Sequence, residues 1–411
     1  MNTDFAAWAW NPGKGIDGLQ LIRKPLLQPA AGEVLVANRA IALNPVDWKI
    51  IEGGHPAWQT GRVPGVDGMG VVVAAGTGVN IKPGTRVAYH QSLERDGSFA
   101  EYCMLEAASV LLVPAALDDR HAAALPCPGL TAWQALENTA SHIQRRTGGG
   151  AGGAVGLFLV QLAVQRGFRV WATASAAHHA SLKTLGAAGV FDYRQDTWQH
   201  ALQTTLGERR LHAIFDTVSG AHAATLAPML GYNGHLVCIQ DRQDVAPLPA
   251  FSTAISLHEV ALNSFHAHAG LNDRQRLRHN GERLLGALLE GSLFGPGLQS
   301  FDFQQLPQAL QELKKAPVAS GSPACPLQRP FCRRRKSRLL PQGCGVDVAP
   351  VGAAKPQPWQ ASSHKGWSDP GQGLAAHRTY FSSYSQILHV STVNRGALHG
   401  HLQAHAQQLG I

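Results

Sequence analysis

Thr147-Gly148-Gly149-Gly150-Ala151-Gly152-Gly153-Ala154-Val155-Gly156 holds the spacing G-x-x-G-x-x-G at Gly150, Gly153 and Gly156, and it runs straight into an apolar helical pattern from Leu157 to Gln165. Glycines so placed let backbone N–H groups close on a pyrophosphate at a helix N-terminus. The other half of a dinucleotide-binding signature is a buried strand feeding the loop, and the glycines have little weight without it. Upstream stands Glu137-Asn-Thr-Ala-Ser-His-Ile-Gln-Arg-Arg146, whose last six residues carry one strong hydrophobe, Ile143. A central parallel strand is a near-continuous apolar run. The loop is therefore expected to lack its strand.

Downstream of the loop the pattern alternates. Arg169–Thr173 reads as a strand, Ala176–Leu185 as a helix closed by Gly186, and Gly189–Tyr193 as a strand. Thr197–Leu206 (helix), 212–216 (strand), Ala221–Leu230 (helix) and 235–239 (strand) follow. Repeated β–α units predict a doubly wound parallel sheet with right-handed crossovers. Upstream, residues 33–42, 70–75, 86–89, 99–105 and 110–113 are short strands punctuated by Gly and Pro. That rhythm predicts an antiparallel, barrel-like β domain. The expected organisation is a β domain over 1–125, a nucleotide-binding α/β domain over 126–262, and a return segment over 263–315 that packs back on the first domain.

The periodic pattern stops near Lys315. Residues 1–315 hold 25 Lys+Arg and 25 Asp+Glu, so the whole net charge of +8 lies in residues 316–411, with 10 against 2. This region is rich in Gly, Pro, Ser, Gln and His and carries the cluster Arg333-Arg-Arg-Lys-Ser-Arg338. Hydrophobes are sparse there and lack sustained period until Tyr380–Val393. A basic, largely disordered tail is expected. Its composition resembles translation in an unintended reading frame more than a folded domain.

The rest of the composition excludes several classes. Length admits two domains with sizeable cores, and no window holds the roughly 18 apolar residues of a membrane span. The N-terminus lacks a basic-then-apolar leader. Six cysteines (103, 127, 238, 325, 332, 344) form no metal spacing. Cysteines 103, 127 and 238 sit in apolar segments as buried thiols, which suits a reducing cytoplasm. The 20 histidines are scattered, and no metal site is expected.

Four further stretches each have an ordinary reading in isolation. Asn44-Pro-Val-Asp47-Trp-Lys49 could be a turn after a strand, since Asn-Pro and Asp form turns. Pro64-Gly-Val-Asp-Gly-Met-Gly70 could be a flexible loop, and Gly97-Ser-Phe-Ala-Glu-Tyr102 a β segment. Leu125-Pro-Cys-Pro-Gly-Leu-Thr-Ala-Trp133 opens a helix. Taken in order over about residues 5–315, they resemble the medium-chain dehydrogenase/reductase family, in its zinc-free quinone oxidoreductase and enone reductase branch.

That resemblance implies a GroES-like β domain packed on a Rossmann domain, with a nicotinamide in the cleft between them. Zinc-dependent members carry Gly-His-Glu where this chain reads Gly65-Val66-Asp67, so zinc independence is expected. The glycine loop and first turn, Gly150, Gly153, Ala154, Val155 and Gly156, would hold the pyrophosphate, and Thr131 would lie near the nicotinamide. An acidic residue after the second strand would select NAD. Thr173-Ala-Ser175 offers none, which points to NADPH. The family commonly presents Ser, Lys and Tyr to the 2′-phosphate; Ser175 and Tyr193 match, His179 stands in the lysine position, and Arg194 could supply charge. The plain alternatives are an N-cap for Ser175 and a core aromatic for Tyr193.

For the chemistry the resemblance implies Asn44, Asp47 and Lys49 at the cleft. Lys49, or water ordered by Asn44 and Asp47, would polarise a quinone or enone oxygen and supply the proton. Relatives have Tyr at Lys49 and Arg where this chain has Ile51, and Cys127 is a rival nucleophile that reads as core. The substrate is expected to be a quinone or activated carbonyl, bound by loops such as 53–61 and 264–270, with a homodimer joined along a last strand near 261–265.

Three readings follow. The first is an NADPH-dependent reductase. The second is an impaired relative, because a central strand about four residues short removes buried aliphatics worth roughly 2–5 kcal/mol each. Residues 141–146 sliding into the slot is one conceivable rescue. The third is a nucleic-acid binder using Arg333–Arg338, disfavoured because no aromatic platform interleaves the cluster.

Overall fold

The computed structural model describes residues 4–140, 149–150, 153–218, 221–239, 241–315, 323–326 and 387–391. The chain divides into two compact units. One spans Met1–Gln328 and Ser382–Ile411 and holds every described element; the other, Arg329–Phe381, lies outside the described residues.

The first 112 residues form seven strands: β1 (Asp4–Ala9), β2 (Gln20–Pro25), β3 (Glu33–Ala42), β4 (Asp67–Ala75), β5 (Arg86–His90), β6 (Tyr102–Glu106) and β7 (Val110–Leu112). Between β3 and β4 lies helix α1 (Pro45–Gly53). β1 and β2 form a separate antiparallel pair. β3 is the hub of the larger sheet, antiparallel to β4 on one side and to β6 on the other, and β5 and β7 continue from β4. β6 alternates buried and part-exposed residues as a half-buried strand does, whereas β3 and the start of β4 are buried on both faces; one face packs Val34, Val36, Val72, Val87, Tyr89 and Leu105 together. The β-rich, antiparallel expectation for this region is met.

Two glycines fix the loop that enters β4. Gly65 has φ +102°, and a Cβ there would stand 2.3 Å from the Phe99 ring and 2.5 Å from Ser98 Oγ. A Cβ on Gly68 would lie 2.4 Å from the Tyr89 hydroxyl oxygen. Only glycine brings this loop so close to β5 and the 97–99 segment.

The second half contains α2 (Asp119–Ala123), α3 (Pro126–Ala140), the two-residue β8 (Gly149–Gly150), α4 (Ala154–Gln165), β9 (Arg169–Thr173), α5 (His179–Thr184), β10 (Gly189–Phe191), α6 (Trp198–Leu206) and β11 (Leu211–Asp216). Then come α7 (Ala221–Leu226), β12 (Leu230–Cys238), β13 (Ser256–Glu259), α8 (Ser264–His268), α9 (Leu271–Leu289), β14 (Gln299–Ser300) and α10 (Leu306–Lys315). α3 starts on Pro126, where a missing N–H costs no intrahelical bond. α10 places Leu306, Ala309 and Leu310 against Ile41, Leu43 and Ile51 of the first domain.

Two short strands come from the region beyond Lys315: β15 (Pro323–Pro326) and β16 (Ile387–Ser391). β15 adds to β3 antiparallel, with Ala324 opposite Ala42. β16 enters the nucleotide-binding sheet, whose strand order is β10-β9-β16-β11-β12-β13. β9 with β10, β11 with β12, and β12 with β13 are parallel. β16 alone runs against its neighbours, pairing Ala213↔Val390 through Asp216↔Ile387 on one side and Ser391↔Arg169 on the other. It also takes up the short β8, Leu388 facing Gly150.

The slot whose own strand the sequence lacks is thus filled, from a distant segment and in the opposite direction. The fully parallel sheet expected from the β–α rhythm is corrected to a parallel sheet with one antiparallel insert. The residues 141–146 proposed as a rescue, and most of the region expected to be disordered, lie outside the described residues.

The last strand also moves. Pairing for a homodimer was expected along 261–265, but the edge strand is β13 at Ser256–Glu259, and Ser264–His268 is helical. Asn263 Oδ1 accepts the Leu93 N–H at 3.0 Å, which turns the chain out of the sheet before Phe265.

Candidate active site

α1 begins where β3 ends, and its first turn carries the expected catalytic residues. Asn44 is the N-cap, with φ −122° and ψ 156°. Asp47 Oδ2 accepts the Asn44 N–H at 2.7 Å and Asp47 Oδ1 accepts the Val66 N–H at 3.0 Å. Asp47 therefore clamps the helix start to the loop entering β4. Burial raises its carboxyl to about 7, with those two backbone N–H groups opposing.

The Asn44 side chain turns away from its own helix. Its Nδ2 donates to Asp67 Oδ2 at 3.0 Å, and the same oxygen accepts the Cys127 N–H at 2.8 Å from the first turn of α3. Asn44, Asp47 and Asp67 are all essentially buried. One turn along α1, Lys49 is half-buried; burial lowers its ammonium, and Asp241, after β12, pulls in the other direction. Its Nζ lies 5.8 Å from the Trp48 ring centre. The structure thus brings Asn44 and Asp47 together around Asp67, with Lys49 facing the nucleotide-binding domain.

Asp67 and His90 were not singled out from the sequence, nor was His266. They are cross-strand partners on β4 and β5, with His90 Nδ1 3.4 Å from Asp67 Oδ1. The His90 ring lies 5.7 Å from that of His266 on α8. The available signal was Asp67 inside the quoted glycine loop, but its partner depends on strand register. Cys127, the rival nucleophile, has its thiol pushed well up by burial and by Asp67 and Asp47. That opposes thiolate formation.

At the other end, Gly153 is the N-cap of α4 with φ −105° and supplies no side-chain cap. Ala154 and Val155 are half-buried in the first turn and Gly156 is buried. The first N–H groups of a 12-residue helix are thus left for another acceptor. Gly150 is in β8, paired with β16. Thr131 is buried on α3. Beyond β9, Ser175 is buried and starts a 3-10 turn without giving it a side-chain cap. The N-cap alternative for Ser175 therefore holds for its backbone only.

His179 Nε2 lies 3.0 Å from the Ala174 carbonyl oxygen. Tyr193 is half-buried rather than core, with the Arg194 guanidinium 5.7 Å from its ring centre. His178, which the sequence reading passed over for its neighbour, has a buried Nε2 with no hydrogen-bond partner. Burial lowers its imidazolium, helped by His179 and Arg194. Asp192 is turned into its own loop, Oδ1 accepting the Arg194 N–H at 3.0 Å. The helix N-terminus without a side-chain cap fits the pyrophosphate of a nicotinamide dinucleotide.

Asp67 Oδ2 is taken by two N–H donors, and its neighbour in the loop is the apolar Val66. Among the described residues no group of three or more His, Cys, Asp or Glu could hold a metal ion. No described helix is long and apolar enough to cross a membrane.

A GroES-like β domain joined to a nucleotide-binding α/β sheet defines a class of two-domain oxidoreductases that use a nicotinamide cofactor. Residues 30–115 match the alcohol dehydrogenase GroES-like domain, and residues 154–275 the zinc-binding dehydrogenase domain. The chain belongs to the medium-chain dehydrogenase/reductase family, in its quinone oxidoreductase-like group.

A chloroplast envelope quinone oxidoreductase homolog from Arabidopsis thaliana is 33% identical over 262 residues, covering 61% of this chain and 77% of the relative. The trans-enoyl reductase tndF of Aspergillus flavipes is 32% identical over 223 residues, covering 49% and 65%. The quinone oxidoreductase structure from Pseudomonas syringae pv. Tomato DC3000 superposes with a TM-score of 0.69 at 24% identity, covering 78% of this chain and 99% of that one.

Proposed function

We propose that this protein is a zinc-independent, NADPH-dependent reductase of a quinone, enone or other activated carbonyl. The observation that carries the cofactor choice is the end of β9: a buried Ser175, the unpartnered His178 Nε2, and Arg194 close by. A 2′-phosphate brings about −1.5 to −2 charge and strong acceptor oxygens, which would satisfy the orphaned nitrogen once protonated or in its Nε2–H tautomer. Asp192, the nearby carboxylate in sequence, is engaged in its own turn. Ser175, His178, His179, Tyr193 and Arg194 would hold the adenosine phosphate. Gly150, Gly153, Ala154, Val155 and Gly156 would hold the pyrophosphate, and Thr131 would border the nicotinamide.

When bound, the reduced nicotinamide supplies the hydride. The protein orients the substrate carbonyl and stabilises the negative charge that forms on its oxygen. Lys49, whose ammonium is made more acidic by burial, is the electrophile we assign to that oxygen. Asn44 presents the Asp67 end of the site, and Asp47 holds α1 in register with the 65–67 loop. The substrate class is supported by relatives named for quinone and trans-enoyl reduction. Three unpaired thiols, Cys103, Cys127 and Cys238, support a reducing compartment.

Fluorescence titration of the full chain with NADPH, and NADH as comparator, tests this. Saturable binding favouring NADPH is expected, followed by oxidation of the cofactor on adding quinones or enones. Equal affinity for both would overturn the 2′-phosphate assignment. Binding of neither would select the impaired-relative reading, in which the antiparallel insert holds the sheet together without presenting the loop correctly.

A further inference from the structure

Asp67 and His90 form an unusual contact beneath the site. β4 and β5 place them directly opposite each other. Asp67 Oδ2 is satisfied by Asn44 Nδ2 and the Cys127 N–H. Asp67 Oδ1 is buried without a hydrogen-bond partner, and so is His90 Nδ1, the atom 3.4 Å away. Two buried polar atoms left facing each other are costly unless a proton lies between them. A carboxylic acid whose Oδ1–H points at Nδ1 satisfies both with one proton. The separation is slightly beyond an ordinary hydrogen bond, and such contacts tighten when a site closes on its ligand.

The surroundings favour the neutral pair. From α1, Asp47 opposes a second negative charge at Asp67. From α3 comes the Cys127 thiol, and from β5 the buried Tyr89 phenol. From α8 comes His266, itself flanked by Arg274, Arg95 and Glu106. Burial pushes Asp67 well up and His90 down to about 3, so both directions agree with an uncharged acid beside an uncharged imidazole. His90 keeps 8% of its surface exposed where Asp67 keeps none, so of the two groups the imidazole lies nearer the surface.

We propose that Asp67 and His90 are the proton store for the reduction, with His90 releasing a proton to the substrate and Asp67 restoring it from behind. The inference rests on the reductase reading above. Hydride delivery leaves the substrate oxygen negative. His90 Nε2–H breaks and the substrate O–H forms. In the same relay the Asp67 Oδ1–H breaks and His90 gains its proton at Nδ1. Asp67 ends as a carboxylate, held by Asn44 Nδ2 and the Cys127 N–H; water later gives a proton to His90 Nε2, and the Nδ1 proton goes back to Asp67 Oδ1, which restores the starting pair. His90 is thus a catalytic residue and Asp67 acts through it.

The test uses full-length Asp67→Asn, which keeps an acceptor for Asn44 and Cys127 and points an N–H at His90 but has no transferable proton. Infrared difference spectra of the ligand-free chain are expected to show a protonated-carboxyl C=O band that Asp67→Asn removes. 15N NMR is expected to find the His90 proton on Nε2. In single-turnover NADPH oxidation the variant should be slower by about 10²-fold or more, with NADPH affinity within about twofold of the parent. His90→Gly should be similarly slow and regain rate with added imidazole, which a merely structural role would not produce.

Absence of the carboxyl band, or an Asp67→Asn rate matching the parent, overturns the proposal. If the chain binds no nicotinamide, the reductase reading fails and the catalytic relay with it. The band and the tautomer, measured without cofactor, still decide whether the pair holds the proton.

Discussion

Removing β16 should dismantle the nucleotide-binding sheet. The perturbation is a stop after Gln386, with the point variant His389→Pro as a milder partner. β16 faces β11 through four register pairs, Ala213↔Val390 to Asp216↔Ile387. On the β11 side, Ala213, Ile214 and Phe215 are fully buried. An antiparallel ladder of four pairs shares about four hydrogen bonds. If water enters the opened slot, their net loss is about 0.5–1.5 kcal/mol each, or about 2–6 kcal/mol in all; groups left dry cost about 1–3 kcal/mol each instead. Typical domain stability is about 5–15 kcal/mol, so the loss is a large part of it. For about 150–250 residues, each kcal/mol corresponds to about 2–4 °C of Tm. His389 is paired on both sides, with Ile214 and with Gly149, so proline there removes an N–H with no edge to hide it. Differential scanning calorimetry, with limited proteolysis to locate the damage, is the assay. The expected result is a Tm lowered by at least about 4 °C, with new cleavage between β9 and β12 while the β domain resists. A truncated chain with unchanged Tm and protection would refute the assignment of β16 to the central slot.

Other outcomes follow from the site and its frame. His179→Lys should tighten NADPH by about 3–10-fold through a charge-assisted contact, leaving NADH unchanged and weakening with salt; an equal gain for both nucleotides, read by titration, would count against it. Gly65→Ala should be strongly destabilising, because φ is +102° and the new Cβ meets Phe99 and Ser98; denaturant unfolding measures it. Burial depresses His90 to about 3 and His266 to about 4, so the unfolded chain binds the extra protons and these groups lose stability as pH falls below about 6.5. Asp47, raised to about 7, has the opposite sign and loses stability as pH rises from about 4 to 7. His90→Gln removes one histidine's share, so stability between pH about 4 and 6 should slope downward with pH by about 1.4 kcal/mol per unit more than in the parent. Urea titrations at several pH values would show an unchanged slope if the His90 assignment is wrong.

What the sequence made legible is local. Arg169–Thr173 and 212–216 are apolar runs between turn signals, and they became β9 and β11 nearly as read. Asn44 and Asp47 were visible as candidate site residues, but their local reading was a turn; the structure makes them the N-cap and first turn of α1, since Asn-Pro and Asp open helices as readily as turns. The polar stretch before Gly150 was legible too, where a buried run was expected, although its residues lie outside the described ones. Its replacement was not. Tyr380–Val393 showed some hydrophobic period, but period says nothing about which slot a strand enters or in which direction. The Asp67–His90 contact was hidden for a related reason: it is set by β4–β5 register, which depends on how Gly65 and Gly68 seat the loop. His178 was missed in favour of His179 because adjacent residues in a 3-10 turn point different ways, and family likeness alone chose between them.

The replaced strand also changes when the sheet can form. Ala213 and its partner Val390 are 177 residues apart, where a strand joined directly to the glycine loop would pair with β9 across a single helix. Closing so long a loop carries an entropic cost before any contact rewards it, and sheets built from distant pairings form slowly. During synthesis β9 to β13 emerge first, with the groove between β9 and β11 still open. Two facing ladders of unpaired N–H and C=O groups are then exposed, an edge that invites association with other chains. The longer that groove stays open, the more the chain is exposed to such association before the fold can close.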